Sequence, residues 1–516
     1  MDSVDAADHS AAKSIAKGAG LVFVGLLIGR LLGYLTRLVV ARYLGPAEYG
    51  LLVLALSVFS LASVIGLAGL QSGLLRFVPE FKGKKEDKKI RPLVYYSLRI
   101  SVLISAVAAF FIIIFSDQIS AGFFHNPGLS TIMKIIGLSI PFGTASSILV
   151  GLMMGLKYPK YRVYLDDILK PLSRLAILLA GVLLGFGILG ATFAYFLSLI
   201  ISAAAGFYIF FKISARSGSK LTKFEKKELL SYSWPTMFSA LIFIVMGQID
   251  SLLLGFLKVV SDVGLYNAAL PTVDIMVMMH VAGVSLFLPV ISELHTRGRV
   301  EAVGEMYKKI IKWITMATFP IFIGFVLFPN QILTLLFGAE YSAAGSSLAI
   351  LSIGYFVNVV LYSGNDILNL FKKTRFNLYA SVFAVTLNAV LDYFLIQYYG
   401  ITGAAIATSV TYAILGATIA YLAYRSSKMS PYNNKTLRVI ISGLLTLTIF
   451  YIVTLFINLT IANALFLAPP ILFLYLVFLV GFKCFDKEDL AVLASMEKKT
   501  GIRIGFIRKL VKASAG

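Results

Sequence analysis

Arg30 and Arg37 stand seven residues apart inside an apolar stretch covering about residues 17–42. In a helix two turns separate them, so they share one face, with Tyr34 between them. A guanidinium is always charged and presents a planar fork of donors that matches phosphate oxygens. Asp166, Lys170 and Arg174 are spaced i, i+4 and i+8 in a later apolar stretch and again share a face. Asp166 and Lys170 suit a simple helix ion pair near the end of that stretch, whereas Arg174 lies deeper. Two or three such cations around one cavity suit a diphosphate, and the substrate-binding candidates are Arg30, Tyr34, Arg37, Lys170 and Arg174. A carrier of organic cations would line its cavity with carboxylates instead.

The second half of the chain inverts the sign. Its deep ionisable groups are Asp250, Asp274, His280, Asp366 and Asp392, accompanied by Gln248, Asn365, Asn369 and Asn388. An ionisable group at mid-bilayer is costly and faces a bundle interior or a water-filled cavity. These five are the candidates for coupling to H⁺ or Na⁺, or for gating. The competing account is a set of static ion pairs between helices, with His280 a hydrogen-bonded structural group.

The elements that position these residues are membrane spans. The 516 residues are 59% hydrophobic and only 14% charged, and mean hydropathy is +0.87. A soluble domain is nearer 45–50% apolar and about 25% charged. The net charge of +21 would ordinarily suggest nucleic acid. Here most of the 46 Lys and Arg fall in alternate gaps between apolar segments, such as Lys82 to Arg91, Lys212 to Lys227 and Arg297 to Lys312. The intervening gaps, such as Gly45-Pro46-Ala47-Glu48 and Pro329-Asn330-Gln331, carry almost none. This is the positive-inside pattern of a cytoplasmic membrane protein with both termini inside, and it excludes nucleic acid as the partner. The first apolar run is too long for a cleaved signal peptide and reads as the first span. The only cysteine, Cys484, closes off any disulfide framework.

At about 20 apolar residues per span the chain holds 14 spans. It also repeats at an offset of about 214 residues. Glu48-Tyr49-Gly50-Leu51 falls on Asp262-Val263-Gly264-Leu265, and Gly187-Ile188-Leu189-Gly190-Ala191 on Gly400-Ile401-Thr402-Gly403-Ala404. The expected organisation is a six-span N-lobe over 1–211, a cytoplasmic linker over 212–228, a six-span C-lobe over 229–424, and two further spans with a basic tail over 425–516. Parallel repeats of this kind place a substrate site between the halves.

The run Gly29-Arg30-Leu31-Leu32-Gly33, then Ala41-Arg42-Tyr43-Leu44-Gly45-Pro46-Ala47-Glu48-Tyr49-Gly50-Leu51, then Leu74-Leu75-Arg76-Phe77-Val78-Pro79-Glu80, resembles the polysaccharide (Wzx-type) flippases. These belong to the superfamily of multidrug, oligosaccharidyl-lipid and polysaccharide flippases. The resemblance implies an all-α, V-shaped, two-lobe fold and transport of a polyprenyl-diphosphate-linked oligosaccharide from the inner to the outer leaflet. By the same resemblance Arg30 and Arg37 are cavity arginines for the diphosphate. Membrane lipids, and a glycan polymerase or glycosyltransferases, are the implied partners.

No enzyme is expected. The sequence has no phosphate-binding Gly-rich loop followed by Lys-Ser/Thr and no cluster with metal-ligand spacing, and no cofactor is expected beyond a coupling ion, H⁺ or Na⁺. The competing functions are an ion-coupled multidrug antiporter on the same fold, against which the arginines argue, and a membrane enzyme of glycan assembly, for which the short outer loops leave no room.

Overall fold

The computed structural model describes residues 2–213, 220–486 and 489. Part of the expected linker (214–219) and the basic tail beyond residue 489 lie outside the described residues. Every regular element among those described is helical. Eleven helices are long and apolar enough to cross a membrane. Their outward side chains are apolar too: Leu103, Phe110, Leu183 and Phe466 are all exposed, as lipid-facing groups should be. The chain is a multi-pass membrane protein.

The helices are α1 Asp2–Leu67, α2 Leu70–Gly83, α3 Ile90–Ile114, α4 Leu129–Gly155, α5 Lys170–Leu183, α6 Gly187–Ile213, α7 Lys223–Leu257 and α8 Val260–Thr296. There follow α9 Val300–Leu327, α10 Pro329–Phe337, α11 Gly345–Leu361, α12 Gly364–Leu370, α13 Thr374–Ser427, α14 Asn434–Leu455 and α15 Ile461–Gly481. Two of them are too long to be single spans, and each contains one non-helical glycine: Gly45 (φ 74°) in α1 and Gly400 (φ 55°) in α13. Positive φ is where glycine is tolerated and other residues are strained. The uncharged gaps seen in the sequence at these two points are therefore sharp kinks with no connecting loop.

The chain forms two compact units, Met1–Asn267 and Ala268–Gly516. In the first, α4 is the hub, packed against α1, α3 and α6, while α7 packs on α1 and α2. Glycine and hydroxyl side chains fill the tight contacts. Thr144 Oγ1 donates to Ser105 Oγ at 3.0 Å, and Ser146 and Ser202 hydroxyls pair at 2.8 Å. Small and hydroxyl residues let helices approach and bond where lipid offers no hydrophobic driving force. At the basic end, α7 begins with a capping box: Glu225 N–H donates to Thr222 Oγ1, and Thr222 N–H donates to Glu225. Lys89, in the loop before α3, bonds Glu225 at 2.8 Å and ties that start in place.

The repeat is visible in backbone contacts. At Gly50 a Cβ would run into the Val260 carbonyl and the Gly264 amide; at Gly264 one would run into the Pro46 carbonyl and the Gly50 amide. Adding the offset of about 214 turns the first contact into the second, so repeat-equivalent backbones touch each other. Gly187 and Gly400, also equivalent, carry the same positive φ, 53° and 55°. The following Gly190 and Gly403, also equivalent, lie against backbone nine and eight residues earlier, at Gly181 and Leu395.

In the second unit α11 packs along α13, and α9 joins α11 to α14. Here the sequence reading of one lysine changes. Lys312, counted among the topology-setting charges, is 1% exposed, with Asp486 and Asp489 carboxylates each 2.7 Å from its Nζ. Trp313 Nε1 donates to Asp489 at 2.7 Å, and Lys435 of α14 pairs with Asp486. Two lysines and two aspartates cancel in charge, which is how charges are kept inside a protein. Removing one partner of a buried pair costs about 3–5 kcal/mol. Lys312→Met is therefore expected to lower the thermal unfolding midpoint in detergent sharply, while Lys308→Met, at a surface pair with Glu305, should scarcely move it.

Candidate functional site

The first unit gathers the basic residues. Gly25 and Gly29 lay α1 directly on Val163 and Asp167, with no space for a side chain. Val163–Leu169 is a π-helical segment that leads into α5. Such widened turns are rare and are found mostly at functional sites. The glycine face of α1 is therefore fixed, and the neighbouring face, which carries Arg30 and Arg37, is left open. Both arginines are exposed, and Tyr34 between them is half-buried. An exposed guanidinium in the apolar zone must meet water or an anion, because contact with lipid at the bilayer centre costs about 2.5–3.5 kcal/mol or more.

Arg174 of α5 comes to the same place. Its guanidinium carbon sits 4.0 Å from the centre of the Tyr195 ring, and its Nε reaches Ser198 Oγ at 3.4 Å. Ser198 in turn donates to the Tyr195 carbonyl at 2.8 Å. Arg37 is close enough for its charge to act on Arg174. Tyr49 lies within the field of Arg37, Tyr34 and Tyr195. Two guanidinium groups from different helices thus lie within each other's field beside a set of tyrosines, with Arg174 held in place by a cation–π contact. Lys170 is used differently: its ammonium pairs with Asp166, four residues earlier on the π-helical segment.

Tyr195, Ser198 and Tyr49 were not singled out in the sequence. Tyr195 and Ser198 sit at i, i+3 spacing in the mostly apolar α6, the one signal that would have marked them.

The acidic candidates are divided between the two units. Asp250 of α7 falls in the first unit, 6% exposed, and accepts a hydrogen bond from Tyr266 Oη at 2.5 Å. Beside it Asn267 donates to Ser251 Oγ at 2.8 Å, and Ser57 donates to Gln248 Oε1 at 2.7 Å. In the second unit Asp274 is exposed on α8. Asp392 of α13 is fully buried, one turn beyond the buried Asn388. Asp366 begins α12, with its Oδ2 3.7 Å from His280 Nε2 of α8.

The family model described as polysaccharide biosynthesis protein matches residues 15–295, and the MatE model matches 235–394. The putative O-antigen transporter of Shigella flexneri is 22% identical over 385 residues, covering 72% of this chain and 88% of that protein. The probable low-salt glycan biosynthesis flippase Agl15 of Haloferax volcanii is 27% identical over 207 residues, 40% of this chain and 43% of its own length. Among solved structures, the lipid II flippase MurJ in an inward closed conformation superposes with a TM-score of 0.73 over 90% of this chain and 98% of that one, at 17% identity. The fold is that of a transporter, and the family is not one of catalytic enzymes. The chain belongs to the polysaccharide biosynthesis protein family, within the superfamily of multidrug, oligosaccharidyl-lipid and polysaccharide flippases.

Proposed function

We propose that this protein is a flippase that moves a polyprenyl-diphosphate-linked oligosaccharide from the cytoplasmic to the outer leaflet by alternating access. The observation that carries this reading is that Arg37 and Arg174, from two helices, act on each other's charge, with exposed Arg30 on the same face of α1 as Arg37. Two guanidinium groups in each other's field repel. A diphosphate between them would turn that repulsion into several charge-assisted hydrogen bonds, each stronger than a neutral one. An organic cation would add a third positive charge, which disfavours multidrug export. The named relatives act on glycans, and the lipid-linked diphosphate fits both them and the arginines. Asp250, Asp274, His280, Asp366 and Asp392 are proposed to serve coupling to H⁺ or Na⁺, or gating, in the cytoplasmic membrane, where glycan polymerase or glycosyltransferases are the neighbours.

The direct test is transport of a labelled lipid-diphosphate-sugar in proteoliposomes, with and without an ion gradient. Absence of transport by folded protein across a panel of such lipids would sink the reading. Orientation is checked separately. In a Cys484→Ser background, a cysteine at Asn330 should react with an impermeant thiol reagent from outside, and one at Lys223 should not. The reverse labelling would invert the assigned direction.

A further inference from the structure

The span that carries Asp366 changes its winding just before it. α11 ends at Leu361, Tyr362 and Ser363 form a turn that keeps helical dihedrals, and α12 starts at Gly364. Gly364 lies against the backbone of Ile419 in α13, which seats this turn against a neighbouring helix. Beside this turn is a cavity of about 20 Å³, room for one water molecule. Val284, Tyr307, Ile310, Ile311, Ser363 and Asp366 line it.

Asp366 and His280 face each other across this region without bonding. The gap of 3.7 Å between Oδ2 and Nε2 is beyond hydrogen-bond reach. The buried Oδ2 of Asp366 and the buried Nδ1 of His280 have no hydrogen-bond partner. A buried polar group left unbonded costs roughly 1–3 kcal/mol. Asp366 lines the cavity, and its unbonded Oδ2 lies just beyond hydrogen-bond reach of His280 Nε2, so a proton placed between the two would relieve the orphaned carboxylate oxygen. The other titratable groups around Asp366 are the phenols of Tyr307 on α9, Tyr362 at the turn and Tyr432 before α14. Phenols keep their protons near neutral pH. An imidazole does not, and it is the group that changes charge in this range.

We propose that His280 and Asp366 form one proton-binding site in the second unit, filled in one access state and emptied in the other. On filling, a proton from water adds to the free lone pair of Nε2. The resulting imidazolium donates Nε2–H to Asp366 Oδ2, and the gap closes by nearly 1 Å, to the length of a charge-assisted bond. On emptying, the same proton returns to water through the cavity. Sodium is a poor occupant, since the aliphatic walls and an imidazole do not provide the oxygen shell that a hard cation takes. The site deepens the proposed function, and its role in access rests on that reading; its proton binding does not.

The experiment separates the two. In full-length protein in nanodiscs, His9→Gln, His125→Gln and His295→Gln leave His280 the only histidine of the four. Its ¹⁵N imidazole signal is followed from about pH 4 to pH 9. We expect one titration, and Asp366→Asn should weaken proton affinity at least tenfold, about one pH unit. Asp366→Glu, which keeps the carboxylate, should weaken it less. No titration in this range, or a midpoint that ignores Asp366→Asn, overturns the site. In proteoliposomes, a pH gradient should change the transport rate of the wild type and of His125→Gln, and leave His280→Gln unaffected. A gradient response that survives His280→Gln overturns the coupling role. A wild type that moves no lipid-linked sugar sinks the flippase reading, while the titration still decides the proton site.

Discussion

Arg37→Ala and Arg174→Ala are each expected to slow translocation of a lipid-linked diphosphate about ten- to a hundredfold while folded protein remains in the membrane. A hydrogen bond to a charged partner contributes about 1.5–3 kcal/mol, which sets that range. The double variant should lose less than the sum, because the two groups share one ligand and residues in contact do not act additively. Arg→Lys at either site should restore only part of the rate, since an ammonium is a point charge and lacks the fork. Tyr195 gives a finer test. Tyr195→Phe keeps the ring under the Arg174 guanidinium but removes the hydroxyl that bonds it, and should transport at a rate between those of the wild type and Tyr195→Leu. Tyr195→Leu removes the ring and should cost roughly 0.5–2 kcal/mol of positioning. Proteoliposome flipping of a labelled lipid-diphosphate-sugar measures all of these. Normal rates in both alanine variants would mean that the arginines do not carry the diphosphate.

Much of this site was legible in the sequence because helical spacing is rigid. Seven residues in a helix put Arg30 and Arg37 on one face whatever surrounds them, and the structure leaves that face open. The repeat was legible because its glycines answer a backbone demand. Gly187 and Gly400 share an unusual φ, and no other residue type adopts it without strain. What spacing along one helix does not tell is which helix lies opposite. The stacking of Arg174 on Tyr195, and its nearness to Arg37, are properties of three helices together. Lys312 was misread for a related reason. Its place among basic residues at the end of a span made it a topology charge, yet its partners Asp486 and Asp489 come more than 170 residues later. The apolar run through Tyr362 and Ser363 read as one span, and the structure keeps it as one. The placement of Asp250 in the first unit follows from packing of α7 on α1 and α2, which hydropathy does not record.

The Gly50 and Gly264 contact leads to the second large effect. Both residues lie in the first unit, and at each a Cβ would collide with backbone atoms of the other strand of the contact. A flexible neighbour can move aside for a methyl group, but a helix backbone cannot do so without shifting its whole span. Overpacking a well-filled interior costs typically 1–3 kcal/mol, and more where nothing yields. In the proposed orientation this contact is at the outer end, where α1 turns at Gly45 and α8 begins. In the proposed alternating access the equivalent segments of the repeat rock against each other, so this contact within the first unit is expected to part in one state and close in the other. Gly264→Val is expected to block closure and hold the outer end open. Transport should then fall at least about tenfold, the equivalent of 1.4 kcal/mol against the closed state. Labelling of a cysteine placed at Glu48 by an impermeant reagent should rise over the same variant series. Because the repeat exchanges the two contacts, Gly50→Val should produce the same phenotype, and the double variant should be little worse than either. Alanine, with its single methyl, should give a smaller effect of the same sign. If Gly264→Val transports at the wild-type rate with unchanged labelling at Glu48, the contact is static packing and the halves part elsewhere.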